Sequence, residues 1–204
     1  NTKSKLTNLE VSNLSDSHWQ RIRNNYHVPN TGMDLEKALE ILFEVDDVLK
    51  NKEVDYYLSC GTVLGLCRDG NFIEWDDEID IDILSEVFIP KFYDLREVFL
   101  RHGFVVRSKF RGPSGITSKM AVFKSGVKVA FGSVYLDGNF RKDLGQKFPK
   151  EFYDNFEMIS FKERDFKVPG PVDDYLTYYY GDWKTPIKSY DINDYLNKDK
   201  RWKI

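Results

Sequence analysis

Leu58-Ser-Cys-Gly-Thr-Val-Leu-Gly-Leu-Cys-Arg-Asp-Gly-Asn-Phe-Ile-Glu-Trp-Asp-Asp-Glu-Ile-Asp-Ile-Asp-Ile-Leu84 is the stretch from which the fold is read. From Glu78 onward, acids alternate with Ile79, Ile81 and Ile83. That is the two-residue period of a β-strand, which sends successive side chains to opposite faces. Glu78, Asp80 and Asp82 then share one face, about 6 to 7 Å between neighbours, while the isoleucines bury the other. Carboxylates held at that spacing repel one another unless a positive charge lies between them. A hard divalent cation that prefers oxygen is the natural candidate. Acidic runs are usually solvated faces, but the interleaved isoleucines anchor this one in a core. A calcium loop would need a central Gly and a Glu at the twelfth position, and the stretch lacks that pattern. Upstream, Gly61-Thr62 is a small-residue turn and Arg68 a forked cation, and both suit a phosphate. The alternative for Arg68 is a salt bridge with a neighbour such as Asp69.

Working outward, 204 residues fit one domain with a small extension. An apolar content of 41% and an aromatic content of 15% build a sizeable core, which argues against disorder. The net charge of −3, with acids and bases mixed, argues against nucleic-acid binding, which wants a basic patch. Cys60 and Cys67 are the two cysteines. They make neither a disulfide framework nor a zinc pattern, so free thiols in a reducing, cytoplasmic compartment are expected. No apolar run approaches the roughly 20 residues that span a bilayer. The first residue is Asn1 and not Met, so a membrane-peripheral protein or a piece of a longer one stays open.

Three regions are expected: an irregular polar arm over 1–32, a domain over 33–187 and a polar tail over 188–204. Leu35, Ala38, Leu39, Leu42, Phe43, Val45, Val48 and Leu49 recur at helical spacing within 33–51. Residues 54–60 read as a strand leading into the Gly61-Thr62 turn and a short helix through Leu64–Cys67. A second amphipathic helix is predicted after Pro90, through Phe92, Leu95, Val98, Phe99 and Leu100, capped near His102-Gly103. Strands are predicted over 104–110, 118–124 and 127–136, with Lys124-Ser-Gly126 as a hairpin turn. The Phe110–Gly115 loop is placed to close over a ligand, with Lys109, Arg111 and Lys119 as phosphate candidates. Segments between 148 and 169 read as strand and turn. Val172–Tyr180 is predicted to be a helix with an aromatic face in the core, ended by Gly181.

Gly61-Thr-Val-Leu-Gly65, Arg68 and Phe72-Ile-Glu-Trp-Asp-Asp-Glu-Ile-Asp-Ile81 resemble the signature of the LicD/fukutin-related family. That signature is roughly Gly-Thr-Leu-Leu-Gly-x-x-Arg, then Ile-Pro-Trp-Asp-Asp-Asp-Ile-Asp-Ile. Phe166-Lys-Val-Pro169, Asp174-Tyr-Leu176, Tyr180-Gly-Asp-Trp183 and Pro186 are similar to the family's C-terminal pattern. The two matches bracket about residues 34 to 186.

The resemblance implies an α+β nucleotidyltransferase-like fold, a mixed sheet flanked by helices with a helical C-terminal extension. It implies transfer of phosphocholine, ribitol phosphate or glycerol phosphate from a CDP-activated donor onto a glycan or glycolipid hydroxyl, with Mg²⁺ or Mn²⁺ as cofactor. Under it, Glu78, Asp80 and Asp82 hold the metal and, with Arg68, carry catalysis. Gly61, Thr62, Arg68 and Lys119 bind substrate, Asp76 stands behind the ligands, and Trp75 packs. Two departures are visible. Glu78 stands where Asp is usual, and Ala130 stands where members carry a further strand Asp, with Asp137 as a substitute if the register shifts. Two rival readings follow: attachment of NMP to a small molecule or protein with release of pyrophosphate, or a degenerate domain that binds nucleotide or glycan without catalysis.

Overall fold

The structure is a computed structural model that describes residues 32–109, 119–143 and 146–186. The arm, the loop with Arg111 and the polar tail lie outside those residues.

The first helix among the described residues, α1 (Leu35–Asn51), starts where Asp34 accepts from the amides of Glu36 and Lys37 through Oδ1, at 3.1 and 3.2 Å. Its predicted stripe buries Ala38, Leu42, Val45, Val48 and Leu49, joined by Ile41 and the charged Asp46. Asp46 is fully buried yet fully partnered. It accepts from Tyr56 Oη at 2.7 Å, Lys50 Nζ at 2.8 Å and Arg164 Nη1 at 2.6 Å. Burial works to raise its carboxyl, but those hydrogen bonds outweigh it and hold the group below the usual range.

The strand predicted over 54–60 contracts to β1 (Tyr57–Leu58), because the chain turns at Cys60, where φ is +45°. Helix α2 (Cys60–Arg68) begins there, so the expected Gly61-Thr62 turn is itself the first turn of a helix. The acidic strand β2 (Ile79–Leu84) buries its isoleucines as predicted, although Glu78 precedes it. Helix α3 (Ser85–Arg101) follows with no loop, five residues before Pro90. The prediction started it after Pro90, since proline breaks helices. Pro90 is exposed, and the bond it cannot donate is lost beside water.

β3 (Val105–Lys109), β4 (Lys119–Lys124) and β5 (Val127–Asp137) match the predicted strands. Ser125 and Gly126, with φ of 53° and 80°, make the two-residue turn that right-handed strand twist favours. Then come β6 (Phe140–Asp143), β7 (Gln146–Pro149), the short α4 (Glu151–Asp154), the hairpin β8 (Glu157–Phe161) and β9 (Arg164–Val168), and α5 (Val172–Tyr180).

Strands run β1-β2-β5-β4-β3, with β6 paired to the far end of β5 and β7 to β6. β2 and β5 are parallel, with Asp80 opposite Ala130 and Asp82 opposite Gly132. Phe88 and Phe99 of α3 pack on Phe131, the register partner of Ile81, with ring centroids 6.4 and 5.4 Å apart. Helix α3 therefore covers the isoleucine face and leaves the acids on the other side. Helix α5 buries Tyr175, Leu176 and Tyr179 against Phe148 and Phe152, so its aromatic stripe is core, and it ends at Gly181 with φ +75°. No helix among the described residues is long and apolar enough to cross a membrane.

Candidate active site

The first turn of α2 is stitched to β2. Gly61 N–H donates to Asp80 Oδ2 at 3.1 Å, Asp80 N–H donates to Thr62 Oγ1 at 2.8 Å, and Ser59 N–H donates to the Asp80 carbonyl at 3.1 Å. Thr62 is buried and its hydroxyl already used, so it clamps strand to helix, where the sequence reading had it facing a phosphate. Gly61 is needed for space. A Cβ there would lie 2.5 Å from Asp76 Oδ2 and 3.4 Å from Asp80 Oδ2. Two carboxylates thus crowd the positive end of α2, one of them Asp76, which the sequence reading set further back.

Asp82 lies deeper. It is 6% exposed, and its Oδ2 accepts from Tyr153 Oη at 2.7 Å. Opposite it, a Cβ on Gly132 would meet Asp82 Oδ1 at 2.6 Å and Asp143 Oδ2 at 3.4 Å. A further carboxylate, Asp143 of β6, has arrived beside Asp82. Lys119 Nζ reaches Asp143 Oδ2 at 3.2 Å, and Lys128 of β5 pairs with Glu78. Ala130, opposite Asp80, contributes only a methyl group.

The acids resist ionisation. Burial, then the charges of Glu78, Asp76 and Asp82, pushes Asp80 well above the carboxylate range. Burial lifts Asp82 to about 7 against the Tyr153 hydrogen bond, with the charge of Asp143 adding to the rise. Burial likewise lifts Asp76 to about 6. Among the described residues no three acid, His or Cys side chains already form a ligand shell. The donor set nonetheless fits a hard divalent cation. Its oxygens are carboxylates, two lysines stand on Glu78 and Asp143 as counter-ions, and no ion pair among the described residues puts a cation on Asp76, Asp80 or Asp82.

The other predicted residues scatter. Arg68 sits in the last turn of α2, about 10 Å beyond Gly61 by helical rise. Its Nε and Nη2 grip Asp69 at 2.9 and 2.7 Å, the salt bridge its sequence position offered. Asp137 is exposed and paired with Lys142, so a register shift does not bring it in. Lys109 is exposed at the end of β3, and Trp75 packs half-buried on the core. Both cysteines are free thiols, that of Cys60 pushed well above its usual range by burial and then by Asp80 and Asp82. Sequence reasoning missed Asp143, Lys128 and Tyr153. One signal for Asp143 existed, a glycine inside a strand, which marks the close approach of another group.

The family described as LicD/FKTN/FKRP, nucleotidyltransferase domain, matches residues 53–171. A mouse (Mus musculus) protein named ribitol-5-phosphate transferase FKTN is 28% identical over 164 residues, 76% of this chain. The chain spans 35% of the length of that relative. Among solved structures, the lincomycin-bound lincosamide antibiotic adenylyltransferase LnuA overlaps with a TM-score of 0.48 at 14% identity, over 80% of this chain and 95% of that one. ANT(2")-Ia in complex with adenylyl-2"-tobramycin overlaps with a TM-score of 0.46 at 10% identity, over 78% and 84%.

Proposed function

The chain belongs to the LicD/FKTN/FKRP family, and from that premise we propose that it transfers a phosphorylated alcohol from a CDP-activated donor to a glycan hydroxyl. The observation that carries this reading is the pair Asp80 and Asp82 on β2, Asp80 half-buried beside Asp76 at the start of α2 and Asp82 buried beside Asp143. Ribitol phosphate is the first donor group to test, since the mouse relative is named for it; glycerol phosphate and phosphocholine follow.

Glu78, Asp80 and Asp82 are the residues that would hold Mg²⁺ or Mn²⁺. When bound, the ion neutralises charge on the diphosphate and on the departing phosphate. The chain's own part is placement and charge. Gly61 and Thr62 lock Asp80 against α2, and Tyr153 orients Asp82 from beneath. Lys119, half-exposed beside Asp143, is the cation best placed to turn towards a donor phosphate. Arg68 joins only by leaving Asp69. The acceptor oxygen forms a bond to the phosphorus of the alcohol phosphate, the bond to the CMP oxygen breaks, and the hydroxyl proton passes to a carboxylate of the cluster.

The test is CMP release with Mg²⁺ or Mn²⁺, CDP-ribitol, CDP-glycerol and CDP-choline, and mixed glycan acceptors. Release from one donor, lost with EDTA and with Asp80→Asn, is expected. Pyrophosphate release from a nucleoside triphosphate would replace this reading by nucleotidyl transfer. One observation, Ala130, favours a second reading, a domain that binds without catalysis; silence across the panel with intact metal-dependent nucleotide binding would establish it.

A further inference from the structure

Strand β5 runs parallel to the acidic strand and presents Ala130 and Gly132 to Asp80 and Asp82. Neither residue carries a charge, so β5 has no acid to offer the site. What occupies the space is a side chain from the next strand. Gly132 leaves room for it. Where its Cβ would lie, Asp82 Oδ1 is 2.6 Å away and Asp143 Oδ2 3.4 Å away.

Asp143 is also firmly carried. Two residues before it, Arg141 is 7% exposed and grips Glu86 of α3 through Nη1 and Nη2 at 2.9 and 2.6 Å. At the start of β7, Gln146 Nε2 donates to Tyr179 Oη at 2.7 Å. A side chain held at both flanks of its hairpin loses little entropy on taking up a ligand. The side chain of Asp143 is 12% exposed and carries one ammonium partner, Lys119. Ser59 adds an independent sign. Ser59 is 1% exposed and lies beside Asp82, yet its Oγ has no hydrogen bond of normal geometry among the described residues. A buried polar atom in that condition is satisfied when something else enters the site.

We propose that Asp143 supplies a further carboxylate to the cation site of Glu78, Asp80 and Asp82, delivered from β6 because β5 carries Ala130 and Gly132 opposite Asp80 and Asp82. The inference rests on the metal-dependent reading above and specifies which side chain completes it. In the free protein Lys119 is the counter-ion of this carboxylate. A divalent cation displaces the ammonium from Asp143 and leaves Lys119 free at the rim of the cluster.

The test measures Mn²⁺ binding to the protein alone, by calorimetry and by the paramagnetic resonance of free Mn²⁺, with no donor present. Wild type, Asp143→Asn, Asp137→Asn and the double variant Asp143→Asn/Ala130→Asp are compared, with circular dichroism to confirm folding. Asp143→Asn is expected to weaken Mn²⁺ binding about tenfold or more, while Asp137→Asn, outside the cluster, leaves it unchanged. The double variant is expected to recover most of the loss, since position 130 faces Asp80 in register. Wild-type affinity in Asp143→Asn overturns the inference and leaves the wider reading standing. Absence of Mn²⁺ binding to wild type overturns both. Should Asp143→Asn fail to fold, Lys119→Met addresses the same carboxylate by removing its competitor. Tighter Mn²⁺ binding is then expected, and unchanged affinity overturns the inference.

Discussion

Gly132→Ala adds one methyl group between two carboxylates. Its Cβ would sit 2.6 Å from Asp82 Oδ1, inside the 3.0 Å that real Cβ atoms essentially never cross. The oxygen must retreat by about 0.4 Å to reach that limit and about 0.8 Å to reach ordinary contact. Retreat is obstructed, because the other oxygen of the same carboxylate is held by the buried Tyr153 hydroxyl at 2.7 Å. Either that bond is lost or the β2–β5 pairing shifts. Both belong to the overpacking class, which costs about 1–3 kcal/mol. In a chain of this length that lowers Tm by about 2–4 °C per kcal/mol.

Activity should fall further than stability, since misplacing a reacting group by an ångström costs on the order of a hundredfold. Thermal unfolding and CMP release, the latter per folded molecule, measure the two effects separately. A Gly132→Ala protein with wild-type Tm and wild-type turnover would refute the close approach of Asp82 to β5. A lowered Tm with unchanged turnover would show that the orientation of Asp82 is irrelevant to the reaction.

Three other outcomes are expected. In the metal-free protein, stability should fall as pH rises from about 4, where unfolded aspartates lose their protons, to about 7, because Asp76, Asp80 and Asp82 keep theirs longer when folded. Saturating Mg²⁺ should remove that slope, and a Tm series that is flat or rising without metal would contradict the crowded-acid description. Asp46→Ala should cost about 3 kcal/mol, the scale of stripping one partner from a buried charged network, because Tyr56 and Arg164 lose their shared acceptor. Denaturant unfolding reads that loss, while turnover per folded molecule stays constant. Asp69→Asn releases Arg68 from its bidentate grip and should lower the donor KM several-fold. An unchanged KM would remove Arg68 from the donor site.

The comparison of sequence with structure turns on distance along the chain. The Ile79/Ile81/Ile83 alternation, the α1 stripe, the Ser125-Gly126 turn and the aromatic face of α5 were all legible, because each is a local period or a local backbone requirement. Asp80 and Asp82 were legible as neighbours on one strand face for the same reason. Two readings failed, one where another segment claimed a group and one where a proline at the surface did not stop a helix. Thr62 read as a free hydroxyl, but the amide of Asp80, 18 residues on, claims it. Pro90 read as a helix start, yet α3 begins directly at the end of β2. Asp76, read as standing behind the ligands, lies with Asp80 beside the helix start at Gly61.

By itself, then, the sequence determined an acidic, isoleucine-backed strand following a glycine-led helix, and the family. Only the tertiary structure decided which carboxylates meet. Asp82 and Asp143 lie on different strands, and nothing periodic links them. They come together because β5 pairs with β2 on one side and with β6 at its far end, and because the absent side chain of Gly132 leaves the space in which they approach.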